Sequence, residues 1–123
     1  MRKKFWLYLE IELTDLLPRF ERIFQVDNLY RDYENVWEWI ESRDSTGEIY
    51  LNISRSHNWE NGNYSEPIQI ILAHNSKEPI DEDEIGRKLL EEFKTPVFYG
   101  ELDMNTSKAE RYQANIEKTF KVN

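Results

Sequence analysis

From Phe5 to Leu13 the apolar residues Phe5, Leu7, Leu9, Ile11 and Leu13 alternate with Trp6, Tyr8, Glu10 and Glu12. A period of two predicts a strand whose odd positions face the core, with Trp6 and Tyr8 on the other side. The period then lengthens. Leu16, Phe20, Ile23 and Phe24 fall on one face of a helix that Thr14 or Asp15 can cap, with Pro18 in or near its first turn. Val36, Glu38 and Ile40 against Trp37, Trp39 and Glu41 predict a second strand. Ile49, Leu51 and Ile53 against Tyr50, Asn52 and Ser54 predict a third. Pro67 to Ala73 reads as a fourth strand. Asp81 and Glu84 have capping-box spacing ahead of a helix that carries Ile85, Leu89 and Phe93 on one stripe, with Leu90 beside it. Thr95-Pro96 ends that helix, and Val97 to Leu102 is a fifth strand.

The order is strand, helix, three strands, helix, strand. Two amphipathic helices must both bury a stripe, which places them on one face of a sheet. The expected fold is therefore α+β, a mostly antiparallel sheet of about five strands with two helices on one face, in a ferredoxin-like split βαβ arrangement. Residues 1–123 form a single domain, with 107–123 as a loosely packed C-terminal helix or tail. The uncovered sheet face would carry Trp6, Tyr8 and Tyr50, with Trp37 and Trp39 as further candidates. An apolar patch there calls for a partner, a second subunit, a ligand or the returning C-terminal segment.

Charge sharpens this picture. Sixteen basic against 24 acidic side chains give a net charge of −8. That sign repels phosphates and anionic lipid, which sets aside nucleic acid and membrane as general partners. Aromatics at 14% and hydrophobics at 39% exclude a disordered chain. Cysteine is absent, which removes disulfides, thiolate metal sites and cysteine nucleophiles, and fits a cytoplasmic location. The apolar start at Phe5 is interrupted by Glu10 and Glu12, unlike a signal peptide, and no run approaches the length of a membrane span.

Motifs for chemistry are weak. His57 and His74 flank strands singly, without a second ligand at helical spacing. No G-x-S-x-G, P-loop or G-x-G-x-x-G occurs. Glu92-Phe93-Lys94 matches the E-x-K half of a nuclease signature, but Phe93 belongs to a buried helix stripe. The run Asp81 to Glu84 reads as acid at a helix N-terminus. Asn52, Ser54, Arg55 and His57 cluster at a strand end, where they suit a small anionic ligand. The structural alternative is that Arg55 pairs with a carboxylate near Asp32 to Glu38 and fixes the second strand beside the third. The expectation is no catalytic residue, no metal and no cofactor.

The densest signal is the stretch Arg31 to Glu48, with six acidic and two basic residues around Trp37 and Trp39. Aromatic anchors carry much of the energy of protein–protein contacts, and charge sets on-rate and partner choice. Asp32, Tyr33, Glu34, Trp37, Glu38, Trp39 and Glu41 are the candidate partner-binding residues, facing a basic protein.

The segments Asp32-Tyr33-Glu34-Asn35-Val36-Trp37-Glu38-Trp39 and Leu51-Asn52-Ile53-Ser54-Arg55, in a small acidic cysteine-free chain, resemble the small immunity proteins of bacterial contact-dependent growth inhibition and polymorphic-toxin systems. That resemblance implies a cytoplasmic, non-enzymatic protein that binds and neutralises one toxin domain, often a nuclease with a basic cleft. The rival expectation is a small-ligand-binding or regulatory domain that forms a homodimer through its open sheet face.

Overall fold

The structure is a computed structural model that describes residues 2–43, 49–56, 66–73, 81–103 and 113–122. Along the chain run β1 (Arg2–Leu7), α1 (Leu13–Phe24), β2 (Tyr30–Glu34), β3 (Trp37–Arg43), β4 (Ile49–Ser56), β5 (Ile68–Ala73), α2 (Glu82–Phe93), β6 (Val97–Asp103) and β7 (Gln113–Phe120). All the strands join one sheet in the order β2-β3-β4-β5-β1-β6-β7. Every neighbouring pair is antiparallel.

This corrects the expected fold. The sheet has seven strands where about five in a ferredoxin-like arrangement were predicted, and it dominates the two helices. Strands β2 to β5 form a four-stranded meander between α1 and α2. A β6–β7 hairpin ends the described chain, so residues 113–120 are a strand and not a helix or tail. The two unpredicted strands, β2 and β7, are the two edges of the sheet.

The expected placement of both helices on one face holds. Leu13, Leu16 and Phe20 of α1, and Leu89 and Phe93 of α2, share one core with Phe5, Leu7, Ile40, Leu51, Ile53, Ile68, Ile70, Val97 and Tyr99. Burying each large aliphatic side chain contributes about 1.5–3 kcal/mol, so this layer is the main source of stability. Helix α1 starts one residue before the predicted caps, with Glu12 at its N-cap and no side-chain cap bond. Pro18 is therefore the sixth helical residue and not part of the first turn. It forfeits one helical hydrogen bond on an exposed face. Helix α2 begins as predicted at Asp81, whose carboxylate accepts from the backbone N–H groups of Asp83 and Glu84 at 3.0 and 3.3 Å.

The helices are joined by charge. Glu92 accepts from Arg19 Nε at 3.1 Å and from Arg22 at 2.9 Å. Arg19 also donates to the backbone carbonyl of Glu92 at 2.9 Å, satisfying one of the open carbonyls in the last turn of α2. Its guanidinium lies 4.6 Å from the Phe93 ring centroid. On the other side of α2, Gly86 has no side chain where the Phe120 ring of β7 packs. A Cβ there would lie 2.4 Å from that ring.

The open face is closed at one end by a bend in β6. The β1–β6 pairing stops at Tyr99, and the β6–β7 register shifts between Tyr99 and Gly100. Gly100 has φ 147°, and a Cβ there would stand 2.1 Å from the carbonyl oxygen of Asn115. Past this bulge β6 leans over the sheet. Gln69 of β5 consequently reaches the carbonyl of Leu102 at 3.5 Å, although β1 lies between the two strands. Leu102 then covers Trp6, which is buried at 2% exposure among Leu102, Phe98 and Trp37.

Gly100→Ala is expected to destabilise the fold by more than about 2 kcal/mol in urea unfolding, through positive φ and a backbone clash. Near-wild-type stability would show that the bulge can relax. The second prediction concerns acid. Hydrogen bonds from Arg19, then Arg22, hold the Glu92 carboxyl below its ordinary value of 4.5. A depressed folded value stabilises above the ordinary pKa and is lost as pH falls through the folded one. Glu92→Gln should therefore lower the melting temperature at pH 7. The gap from wild type should begin to narrow as pH falls past the ordinary value of 4.5 and close once it has passed through the lower folded one. A gap that persists in acid would assign the effect to packing.

Candidate functional site

The acidic, aromatic stretch folds as the β2–β3 hairpin, and strand alternation divides it between the two sheet faces. Asn35, in the left-handed region at φ 55°, makes the tight reversal between the strands. Register places Tyr30 opposite Glu41, Asp32 opposite Trp39 and Glu34 opposite Trp37. These six lie on the open face. Arg31, Tyr33, Glu38 and Ile40 lie on the face that the helices cover.

On the covered face Glu38 is only 1% exposed. Its Oε2 accepts from Arg31 Nε at 2.6 Å, while Oε1 has no hydrogen-bond partner among the described residues. Directly opposite, in register on β4, is Arg55, which is fully buried. Its guanidinium donates to the carbonyls of Leu9 at 3.0 Å and Ile11 at 2.8 Å. The predicted neighbours are thus adjacent, with a carboxylate of the expected segment facing Arg55. The guanidinium's two backbone bonds go to the chain between β1 and α1. Tyr33 sits beside this group at 59% exposure, with Arg31 5.0 Å from its ring centroid.

On the open face Glu41 is also nearly buried, at 5%. Tyr30 Oη donates to Glu41 Oε1. Arg43 donates to the same oxygen at 3.3 Å, and Asn52 Nδ2 to Glu41 Oε2 at 3.3 Å. Arg43 Nε also donates to Tyr30 Oη at 3.2 Å. Glu41 is therefore the hub of a polar network, with both oxygens engaged.

Asp32, Glu34, Trp37 and Trp39 remain. One cross-strand row runs Asp32, Trp39, Ser54, Gln69, Trp6, Phe98 and Thr119 from edge to edge of the sheet. At its β2 end a cavity of about 290 Å³ is lined by Glu34, Asn35, Trp37, Trp39, Asn52 and Ser54. Both tryptophans are half-buried, and Asp32 and Glu34 are exposed. Trp37 packs against the Trp6–Leu102 cluster. Tyr30, Tyr33 and Val36 add exposed apolar surface on the same hairpin, at 43%, 59% and 50%.

Of the seven predicted binding residues, four thus line or flank one open-face cavity, Glu41 is tied up beneath it, and Tyr33 and Glu38 face the other way. Asn35, Asn52 and Ser54 belong to the cavity lining without having been assigned to this site. Their signal was the alternation of β4, which puts Asn52 and Ser54 opposite Glu41 and Trp39. The same alternation separates them from Arg55, so these residues do not form the anion site considered for that strand. His57, His74, Trp59, Asp44, Glu48 and the side chain of Tyr50 lie outside the described residues.

Other candidate sites resolve into structure. Asp81 is a helix cap and Glu92 is clasped by two arginines. Lys118 bonds Asp83 at 2.9 Å and Glu82 at 3.4 Å, tying β7 to α2. Among the described residues no group of three or more His, Asp or Glu is placed to hold a metal ion. No helix among them is long and apolar enough to cross a membrane. Comparison of the chain with family models, with curated proteins and with solved structures returned no match.

Arg55→Ala is expected to cost about 3 kcal/mol or more in urea unfolding, because it strands the Leu9 and Ile11 carbonyls and empties a fully buried position. Trp39→Ala, half-buried on the open face, should cost less. The opposite ranking would make the open face the true core.

Proposed function

We propose that the protein binds and neutralises a basic protein domain, as an immunity protein neutralises its toxin, and that it does so without catalysing a reaction. The observation that carries this reading is the open-face cavity between Trp37 and Trp39, with the exposed carboxylates of Asp32 and Glu34 at its edge. Protein interfaces concentrate their energy in a few half-sunken aromatic residues ringed by polar groups. Here two half-buried tryptophans stand on β3, which pairs with both neighbouring strands, and Trp37 packs against the Trp6 cluster. Such anchors lose little conformational entropy on binding.

Charge supports the same partner chemistry. The net charge of −8 steers cationic surfaces toward the protein, and Asp32 and Glu34 would meet them at the anchors. A nuclease toxin domain, with lysines and arginines arranged for phosphate, is the partner class that fits best. Fast steered association suits a protein that must intercept a toxin before it acts. Glu38 and Glu41, buried and bonded, would hold the hairpin's shape and take no part in contact.

Affinity capture with the purified protein at low and at high salt, read by mass spectrometry, is the test. A basic protein domain retained at low salt and lost at high salt is expected. Asp32→Lys combined with Glu34→Lys should slow its association on the order of tenfold or more. The unfolding midpoint should stay within about 0.5 kcal/mol of wild type, since both residues are exposed. Recovery of further copies of this chain alone would overturn the reading, as would unfolding of the double variant.

A further inference from the structure

The walls and rim of the open-face cavity suit one kind of side chain. Trp37 and Trp39 are same-face neighbours two residues apart on β3, so their Cα atoms are spaced about 6.8 Å along the strand. A flat group touching an aromatic face needs about 3.5 Å on each side. Both indoles line the same cavity, so one planar group seated there can touch them both. Glu34, directly opposite Trp37, brings an exposed carboxylate to the lining. Asn52 and Ser54 of β4 add neutral polar atoms. Asn52 turns one amide N–H to Glu41, and its carbonyl oxygen can accept from a bound cation.

Aromatic faces with a carboxylate and a neutral acceptor attract a cation and repel an anion. Elsewhere the chain sets its own cations over rings: Arg19 over Phe93, Arg31 over Tyr33 and Lys3 over Tyr99, at 4.6, 5.0 and 5.8 Å. Tryptophan is the strongest ring for this contact. Neither Trp37 nor Trp39 carries such a cation among the described residues. A guanidinium is flat and edged with N–H donors, so it can stack and hydrogen-bond at once. An ammonium is compact, strongly hydrated and unable to stack.

We propose that this cavity is a socket for an arginine side chain of the partner protein, with the guanidinium between Trp37 and Trp39 and hydrogen-bonded to Glu34. The proposal rests on the binding reading of the open face and narrows it to one anchoring residue type. Asn52 and Ser54 complete the donor–acceptor match, and Asp32, opposite Trp39, adds charge at the edge.

The test uses N-acetyl-arginine methylamide as probe, with the lysine and the isosteric, uncharged citrulline analogues as controls. The readout is the indole N–H resonances of the full chain, assigned with single Trp→Phe variants. The arginine probe should move Trp37 and Trp39 saturably in the millimolar range and leave buried Trp6 unmoved. The lysine analogue should bind more weakly, and citrulline should leave both resonances in place. Glu34→Gln should weaken arginine binding about tenfold, the loss of one charge-assisted hydrogen bond, at an unchanged unfolding midpoint. Equal responses to arginine and citrulline, or shifts that spare Trp37 and Trp39, overturn the socket. The two readings fail separately. Capture of a basic domain that is indifferent to Glu34→Gln sinks the socket and leaves the binding face standing. Saturable arginine binding with no basic protein captured keeps the socket and sinks the neutralising function.

Discussion

A guanidinium with no exposure to water sits in the middle of the covered sheet face, and much of the architecture is arranged around it. Burying a charge costs several kcal/mol unless it is fully hydrogen-bonded and balanced. Arg55 donates to the carbonyls of Leu9 and Ile11 and stands in register with the Glu38 carboxylate across the β3–β4 ladder. The two carbonyls belong to the segment where the chain leaves β1 and turns into α1. Backbone there is outside both the sheet ladder and the helix, so its polar groups need a partner from elsewhere. Arg55 supplies it, and in doing so fixes where α1 begins over the sheet. Glu38, buried opposite Arg55, has its cation partner in Arg31 of β2, at 2.6 Å. A chain of charge thus runs from the α1 entry through β4 and β3 to the edge strand β2. The hairpin that carries the candidate site is held to the body through it.

The opposite edge is held differently. There α2 and β7 meet through Gly86 under Phe120 and through Lys118 with Asp83 and Glu82. Gly100 lets β6 bend, which brings Leu102 over Trp6 and turns one end of the open face into a small second core. That core supports Trp37 from the side. The cavity therefore lies between a rigid aromatic cluster and a charged hairpin edge, both backed by the helix layer.

The central strands and both helices were legible because burial leaves a period. Phe5 and Leu7, Ile40, Leu51 and Ile53, and Ile68, Ile70 and Leu72 face a hydrophobic layer, and the stripe at Leu89 and Phe93 is a plain helix signature. The edges leave none. Tyr30 to Glu34 is almost wholly exposed, and the described side chains of β7 are exposed up to Phe120. Such strands are specified by ladder hydrogen bonds to a neighbour, and their charges guard an unpaired edge. With both edges silent, a seven-stranded sheet reads as five. Pro18 was misplaced for a related reason. Local rules put proline in a first turn, but Leu13 is fully buried in the core, and that packing starts the helix earlier. At the site, the sequence marked the right segment and assigned it to a single surface. Alternation sends Glu38 inward and Trp39 outward although they are neighbours in the chain.

That division has a consequence for how such a face can change. The inward set, Arg31, Glu38 and Arg55, is coupled by burial, and altering one member leaves another charged and desolvated. The outward set, Asp32, Glu34 and Trp39, meets solvent, and the backbone beneath it is already paired on both sides of β3. Substitutions there alter charge and shape with little effect on folding. One short hairpin therefore combines a constrained layer that preserves the scaffold with an adjustable layer that faces solvent. Under the proposed role as a binder of one basic partner, separation by strand alternation would let specificity shift while the fold stays fixed. The tryptophan pair is the hinge between the two layers, because Trp37 is braced by the Trp6 cluster and Trp39 shares its cross-strand row with Asp32 and Ser54. Affinity should consequently reside in the tryptophans and discrimination in the carboxylates beside them.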